Sequence, residues 1–188
     1  MVTTKAMMVD SIQLVSERLL LRRYKRSDMP SIVRLVGARE VAATTLRIPH
    51  PYTEDDARKF LGRIALEKTL TSFGIFLRKT GEHCGGIGLD LDSDHDRAEL
   101  GYWIGVPYWG KGIATEAARE VVRYGFETLG LNRIFANCFV GNPASQRVLE
   151  KLGMKYEGRF RKHINKWGEY RDVDNYGLLT DEWKAGRL

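Results

Sequence analysis

The stretch from Ile104 to Ala117 (IGVPYWGKGIATEA) holds the residues of this chain best suited to chemistry. An apolar run ends, glycines follow, and a helix-forming pattern begins. The first N–H groups of a helix have no intrahelical acceptor and carry the positive end of its dipole, so such a junction can cradle a phosphate. Gly110 and Gly112 would let a ligand approach the backbone closely. Two familiar phosphate loops do not fit. Gly105-x4-Gly110-Lys111 has Gly112 where a nucleotide-triphosphatase loop needs Ser or Thr for magnesium, and its interior is bulky (Pro107, Tyr108, Trp109). A dinucleotide fingerprint needs a third glycine where Thr115 stands.

Other reactive side chains are sparse. The two cysteines, Cys84 and Cys138, and the four histidines form neither a disulfide framework nor a zinc spacing, and no metal is expected. His83-Cys84 reads as a strand pair with one residue facing in and one out. Asp90, Asp92, Asp94 and Asp96 alternate through what reads as a solvated turn.

The elements around the loop follow from periodicity. Glu17 to Tyr24 reads as a first strand. Ser27-Asp28 offers a cap before a helix with Met29, Ile32, Val33 and Val36 on one face. Thr53, followed by Glu54, Asp55 and Asp56, opens a second helix whose stripe is Ala57, Phe60, Leu61 and Ile64. Ser72–Lys79, Cys84–Leu91 and Ala98–Val106 are joined by short turns and suggest an antiparallel meander. A long helix is expected over Ile113–Leu129, then a strand over Arg133–Val140. The next helix runs over Pro143–Leu152, with Pro at its start and Gly153 after its end. Met154–Gly158 and Val173–Leu179 read as final strands. The order β-α-α-β-β-β-α-β-α-β-β predicts an α+β (α/β) sheet with helices on its faces. With 188 residues and no composition shift or linker, residues 1–188 read as one domain, residues 1–11 being a flexible extension.

Six segments, placed along the chain in the family's order, resemble the GNAT superfamily of N-acetyltransferases, closest to its RimJ/RimL-like branch. Trp109-Gly-Lys-Gly-Ile-Ala114 resembles the pyrophosphate loop Arg/Gln-x-x-Gly-x-Gly/Ala, with Trp109 in place of Arg or Gln. Glu17–Tyr24 resembles the opening strand, and Pro51-Tyr-Thr-Glu-Asp-Asp-Ala57 a branch motif. Ala98-Glu-Leu-Gly-Tyr-Trp-Ile104 resembles the central strand. Asn142-Pro-Ala-Ser145 with Val148–Met154 resembles the second cofactor motif, and Gly168–Tyr176 the closing strand.

The resemblance implies a twisted, mixed, mostly antiparallel sheet with helices on both faces, its central strands splayed at a bulge. It implies acetyl-CoA as cosubstrate, its pantetheine arm lying in the gap between Ala98–Val106 and Arg133–Val140. Backbone groups near Ile104 and Val106 would pair with the arm, and an amide at the bulge would stabilise the developing oxyanion. The amides from Gly110, Lys111 and Gly112 through Ile113, Ala114 and Thr115 would hold the pyrophosphate. Lys111 would add a point charge or stand as a solvated loop lysine. Glu99 sits where many family members carry a catalytic glutamate; the other readings are a glutamate on an exposed strand face and a charge that orients the substrate amine. His163 is a rival base. Many family members place a tyrosine in the second motif's helix to protonate the leaving thiolate. That position is Leu149 here, so Ser145 is the natural substitute. Asn142 would contact the arm or cap the following helix, with the arm preferred. Arg39–Leu46 and the loop Arg161–Tyr170 would flank the acceptor.

A free α-amine titrates near 7.7–8.0 and a lysine near 10.4, so an N-terminal amine asks less of a base. The expected reaction is direct acetyl transfer to a protein N-terminal α-amine of the ribosomal-protein type. The alternatives are a small amine (aminoglycoside, polyamine or amino acid) and, in another class, a non-catalytic acetyl-CoA sensor. The net charge of +6 attracts anions, yet no nucleic-acid motif appears. No run suits a membrane span and the N-terminus is unlike a signal peptide, so a cytoplasmic enzyme is expected. The resemblance implies a homodimer by analogy.

Overall fold

The computed structural model describes residues 12–66 and 70–186; the N-terminal extension expected over 1–11 lies outside the described residues. The strands are β1 (Gln13–Val15), β2 (Leu19–Arg22), β3 (Leu70–Leu77), β4 (His83–Asp92), β5 (Arg97–Ile104), β6 (Arg133–Phe139), β7 (Lys155–Lys166) and β8 (Glu169–Leu179). The helices are α1 (Met29–Val36), α2 (Arg39–Thr44), α3 (Glu54–Leu66), α4 (Ile113–Glu127), α5 (Pro143–Lys151) and α6 (Thr180–Ala185). They form one mixed sheet in the order β1-β2-β3-β4-β5-β6-β8-β7. Every pairing is antiparallel except β5 with β6.

The helix ends are set by short-range chemistry. Thr53 and Asp56 form a reciprocal cap at α3: Thr53 Oγ1 accepts from the Asp56 N–H at 3.2 Å, and Asp56 Oδ2 accepts from the Thr53 N–H at 2.9 Å. At the end of α5 the Met154 N–H reaches Leu149 O and the Gly153 N–H reaches Glu150 O. Gly153 takes a φ of +81° there, which closes the helix as a Schellman turn.

Helices cover both faces of the sheet. On one side α4 and α5 bury Ala117, Val121 and Leu149 against Ile87, Leu89 and Ile134. On the other, α1 and α3 enclose Ile32, Val36 and Ala57 beside Tyr24, Phe60 and Trp103. Full burial of one such aliphatic side chain stabilises the fold by about 1.5–3 kcal/mol. Truncating Ile134, which is 0% exposed between α4 and β6, would cost about 2–5 kcal/mol.

Because both faces are covered, His83 and Cys84 are both buried, which corrects the one-in, one-out expectation. His83 Nδ1 lies 2.8 Å from Ser31 Oγ, and its ring stacks on Phe76. Burial holds its pKa below the ordinary histidine value, against the raising effect of its hydrogen bond to Gly85 O.

The second correction concerns the segment expected to be a loop over Arg161–Tyr170. It is the turn end of a long hairpin formed by β7 and β8. Trp167 and Gly168 occupy its turn with φ values of +57° and +89°. Two left-handed residues match the right-handed twist of the flanking strands. Trp167 carries that conformation with its ring against His50 and Arg39. Lys166, 7% exposed, donates from Nζ to Ile48 O at 2.7 Å and ties the hairpin tip to the α2–α3 connection.

Candidate active site

The central parallel pair sets up the site. β5 and β6 pair only through Arg97↔Arg133, Ala98↔Ile134 and Glu99↔Phe135. Beyond Glu99 the two strands part, although β5 continues to Ile104 and β6 to Phe139. A cavity of about 230 Å³ opens at this parting, lined from both sides of the sheet.

From one side come Tyr102, Ser145, Leu149 and Cys138. Tyr102 OH lies 2.8 Å from Ser145 Oγ, so β5 and the first turn of α5 meet across the gap. Burial pushes the Tyr102 phenol up to about 12, so it is a neutral donor at physiological pH. Sequence reasoning missed Tyr102. Counting along the second motif finds only Leu149, which lines the cavity without a polar atom. The tyrosine next to the gap belongs to a strand some forty residues earlier, and its proximity to Ser145 is tertiary. Burial also raises the Cys138 thiol to about 11. It stays protonated at neutral pH and is a poor nucleophile, so a covalent acetyl-cysteine step is disfavoured.

From the other side come Glu99, Asp90, Arg47, Phe60 and Trp103. Both Glu99 oxygens are engaged: Asn137 Nδ2 donates to Oε1 at 3.1 Å and Arg47 Nη2 to Oε2 at 2.8 Å. Asn175 in turn donates to Asn137 Oδ1 at 2.9 Å, so the Glu99 carboxylate ends a chain of amides running from β8 through β6. Arg47 also reaches Asp90 at 3.2 Å. Asp90 faces Glu99 across the β4–β5 pairing, so one member of the acidic run expected in a turn stands at the site. Arg47 comes from the Arg39–Leu46 flank anticipated beside the acceptor, one residue past its end. His163 sits on β7, exposed, with its ring 5.0 Å from Phe160, and it does not line the cavity.

The glycine loop follows β5. Gly110 and Gly112 have φ values of +72° and +76°, so both need the left-handed conformation that glycine adopts freely. Gly112 caps α4 without a side chain, and the Glu116 N–H is given to Gly112 O. The N–H groups before Glu116 belong to the turn that lacks intrahelical acceptors. Ile113 is buried in the core, Ala114 and Thr115 are half-buried, and Lys111 is exposed with Nζ 5.7 Å from the Tyr108 ring.

A clasp from the start of the chain holds this helix end. Ser16 Oγ and the Arg18 N–H both donate to Glu116 Oε1, at 2.7 and 2.8 Å, and the Arg18 guanidinium binds Oε2 at 2.6 Å. Burial raises the Glu116 carboxyl, and these donors more than offset it, leaving the pKa below its usual value.

One feature differs from the sequence expectation. The strand expected to reach Val106 stops at Ile104, and Val106–Tyr108 form a 3₁₀ turn. The Val106 carbonyl accepts from the Trp109 N–H at 3.1 Å, and the Ile104 carbonyl accepts from the Trp109 indole at 2.6 Å. Trp109 thus ties the loop back to β5. Asn142 caps α5, its Oδ1 accepting from the Ser145 N–H at 3.2 Å, while Nδ2 lies 3.5 Å from Thr44 O.

Residues 18–155 match the family model described as an acetyltransferase (GNAT) domain. An uncharacterized N-acetyltransferase, p20, from Bacillus licheniformis is 33% identical over 175 residues, covering 90% of this chain and 97% of its own. The [ribosomal protein uS5]-alanine N-acetyltransferase of Escherichia coli is 36% identical over 88 residues, covering 47% of this chain and 45% of its own. The solved structure of a GNAT-family acetyltransferase from Bacillus anthracis superposes with a TM-score of 0.82 at 30% identity, covering 90% of this chain and 99% of that one. Among the described residues no helix is long and apolar enough to cross a membrane. The parting of β5 and β6, the glycine loop at the start of α4 and these matches together make the chain a member of the GNAT superfamily of N-acetyltransferases, in its RimJ/RimL-like branch.

Proposed function

We propose that this enzyme transfers the acetyl group of acetyl-CoA directly to the α-amine of a protein N-terminus. The observation that carries the reading is the cavity at the β5–β6 parting, with the Glu99 carboxylate on one side and the Tyr102–Ser145 hydroxyl pair on the other. The thioester lies in the gap between them. The N–H groups from Gly110 to Thr115 hold the pyrophosphate, with Lys111 beside it. The pantetheine arm runs along β5 past Ile104 and Val106, where Trp109 already engages the Ile104 carbonyl. Asn142 fixes the start of α5 and presents Ser145.

The reaction needs a neutral amine, a polarised carbonyl and a stabilised leaving group. The acceptor ammonium replaces Arg47 at Glu99, which takes its proton directly or through water. The amine nitrogen attacks the thioester carbon, a backbone amide at the parting stabilises the oxyanion, the nitrogen gives its second proton to water, and the C–S bond breaks to release the thiolate. A phenol near 12 is a weaker acid than a thiol near 8.5. Tyr102 and Ser145 therefore stabilise the departing thiolate by hydrogen bonding and need not surrender a proton to it.

The cavity, about 230 Å³, is open to the exterior and so admits an acceptor longer than the cavity itself, as an N-terminal segment is. It takes one end of an acceptor whose remainder lies outside, along α2 and the β7–β8 hairpin. The relative that acts on a ribosomal-protein alanine supports the same class. A second reading, a small polycationic amine, is favoured by one observation, the facing carboxylates of Asp90 and Glu99. Calorimetric titration with acetyl-CoA, native beside Gly112→Glu, tests the cofactor site. Thiol release with N-terminal peptides and with spermidine then separates the two acceptors. Turnover of spermidine alone would overturn the N-terminal reading, and binding without any turnover would leave a sensor.

A further inference from the structure

We infer that the acceptor carries a large apolar side chain next to its amine, of leucine, methionine or phenylalanine size, and that Gly101 sets this preference. The inference rests on the amine-acetylation reading above. Along β5, Ala98, Leu100, Tyr102 and Ile104 face the α4 core, whereas Trp103 faces the α1–α3 side, so Glu99 and Gly101 share the face of Trp103. Across the β4 pairing they meet Asp90, Gly88 and Gly86 in the same order. The cavity floor on the acceptor side is thus a carboxylate pair, then a glycine pair, then Trp103 over Gly86. That progression spans four residue steps, from Glu99 to Trp103, about 13 Å of strand.

The two ends differ in chemistry. Arg47, Asp90 and Glu99 stand together at one, and Trp103 and Phe60 line the other. An amine is drawn to the first. The side chain beside it then extends over Gly101 and Gly88 towards the aromatic end.

Gly101 is the informative residue. A strand glycine is unfavourable relative to alanine. Gly86 has a packing reason, because a Cβ there would meet the Tyr24 hydroxyl at 2.3 Å and the Trp103 indole nitrogen at 2.5 Å. Gly88 has one too, because a Cβ would meet the Thr71 carbonyl at 2.4 Å. At Gly101 the φ lies outside the left-handed region and a Cβ would meet nothing within 4 Å. Neither backbone nor packing requires glycine there. What its missing side chain leaves is space between the amine end and the aromatic end of the cavity.

The test is a set of peptides identical except for a first residue of Gly, Ala, Ser, Leu, Met or Phe. Each is assayed by thiol release with native enzyme, Gly101→Ala and Gly101→Val. Acetyl-CoA affinity by calorimetry confirms that each variant is folded. The native enzyme is expected to favour Leu, Met or Phe over Ala in kcat/KM by roughly 10- to 200-fold, the range a pocket achieves for added methylenes. Gly101→Val should abolish that preference while sparing the Ala peptide, with Gly101→Ala between. A native preference for Ala or Ser, or equal losses on all peptides in variants that still bind acetyl-CoA, would overturn the inference and leave the N-terminal reading standing. No turnover of any peptide would overturn both.

Discussion

Tyr102 on β5 and Ser145 at the start of α5 share a 2.8 Å hydrogen bond across the gap where β5 and β6 cease to pair. Two hydroxyls joined there are proposed to act as a unit on the leaving sulfur. Tyr102→Phe should lower kcat by about 10²-fold, the scale of losing one hydrogen-bond donor to developing charge, with acetyl-CoA affinity little changed. Ser145→Ala should lose less, and the double variant should be no slower than the worse single one. Steady-state kinetics beside calorimetry checks this; additive losses would separate the two roles.

Glu99 is proposed to take the amine's proton, so its importance should depend on pH. With an α-amine acceptor of pKa near 7.7–8.0, native kcat/KM should rise with pH and level off above about 8. Glu99→Gln should cost about 10²-fold at pH 7 and much less at pH 9, where the amine is already neutral. An equal loss at both values would make Glu99 an orienting charge.

The Ser16–Arg18–Glu116 clasp holds the N-terminus of α4, where the pyrophosphate is proposed to bind. Glu116→Gln should weaken acetyl-CoA binding several-fold without a matching change in kcat. The Arg18 side chain is half exposed, so solvent screening limits the ion pair itself to about 1 kcal/mol of stability. Calorimetry and thermal melting separate the two effects.

Acid stability should report the depressed carboxyls. Burial raises the Asp28 carboxyl, but the Arg22 side chain and the Lys25 N–H outweigh it, and its folded pKa lies below the unfolded one. The Glu116 carboxyl is lowered in the same sense. A depressed carboxyl stabilises the fold fully above its unfolded pKa, near 4, and loses that contribution as pH falls through the folded value. Asp28→Asn should therefore destabilise by about 3 kcal/mol at pH 7, the scale of a broken buried pair, and flatten the loss of stability below pH 4. Melting curves between pH 7 and pH 3 measure both.

Much of this architecture was legible in the sequence because it rests on local signals. Thr53 with Asp56, Pro143 with Gly153, and the glycines before Ile113 mark helix ends by their own chemistry. The meander β3–β5 follows from its short turns. The β7–β8 hairpin was hidden because its turn is Trp-Gly, without the Asn-Gly or Asp-Gly signature, and because Lys162 interrupts the alternation at a φ of +50°. β1 and α6 are only three and six residues long, too short for periodicity to reveal. At the site, Glu99 and Ser145 were found through their motifs. Tyr102, Arg47 and Asp90 were not, because each acts through a partner 43, 52 or 43 residues away in sequence: Ser145, Glu99 and Arg47 respectively.

The most direct test of the central claim is where the acetyl group goes. Native enzyme is incubated with acetyl-CoA and a peptide bearing both a free N-terminus and an internal lysine, and fragmentation mass spectrometry locates the modification. Acetylation confined to the α-amine is the predicted result. Acetylation of the lysine alone, or none on any peptide of the panel, would contradict it.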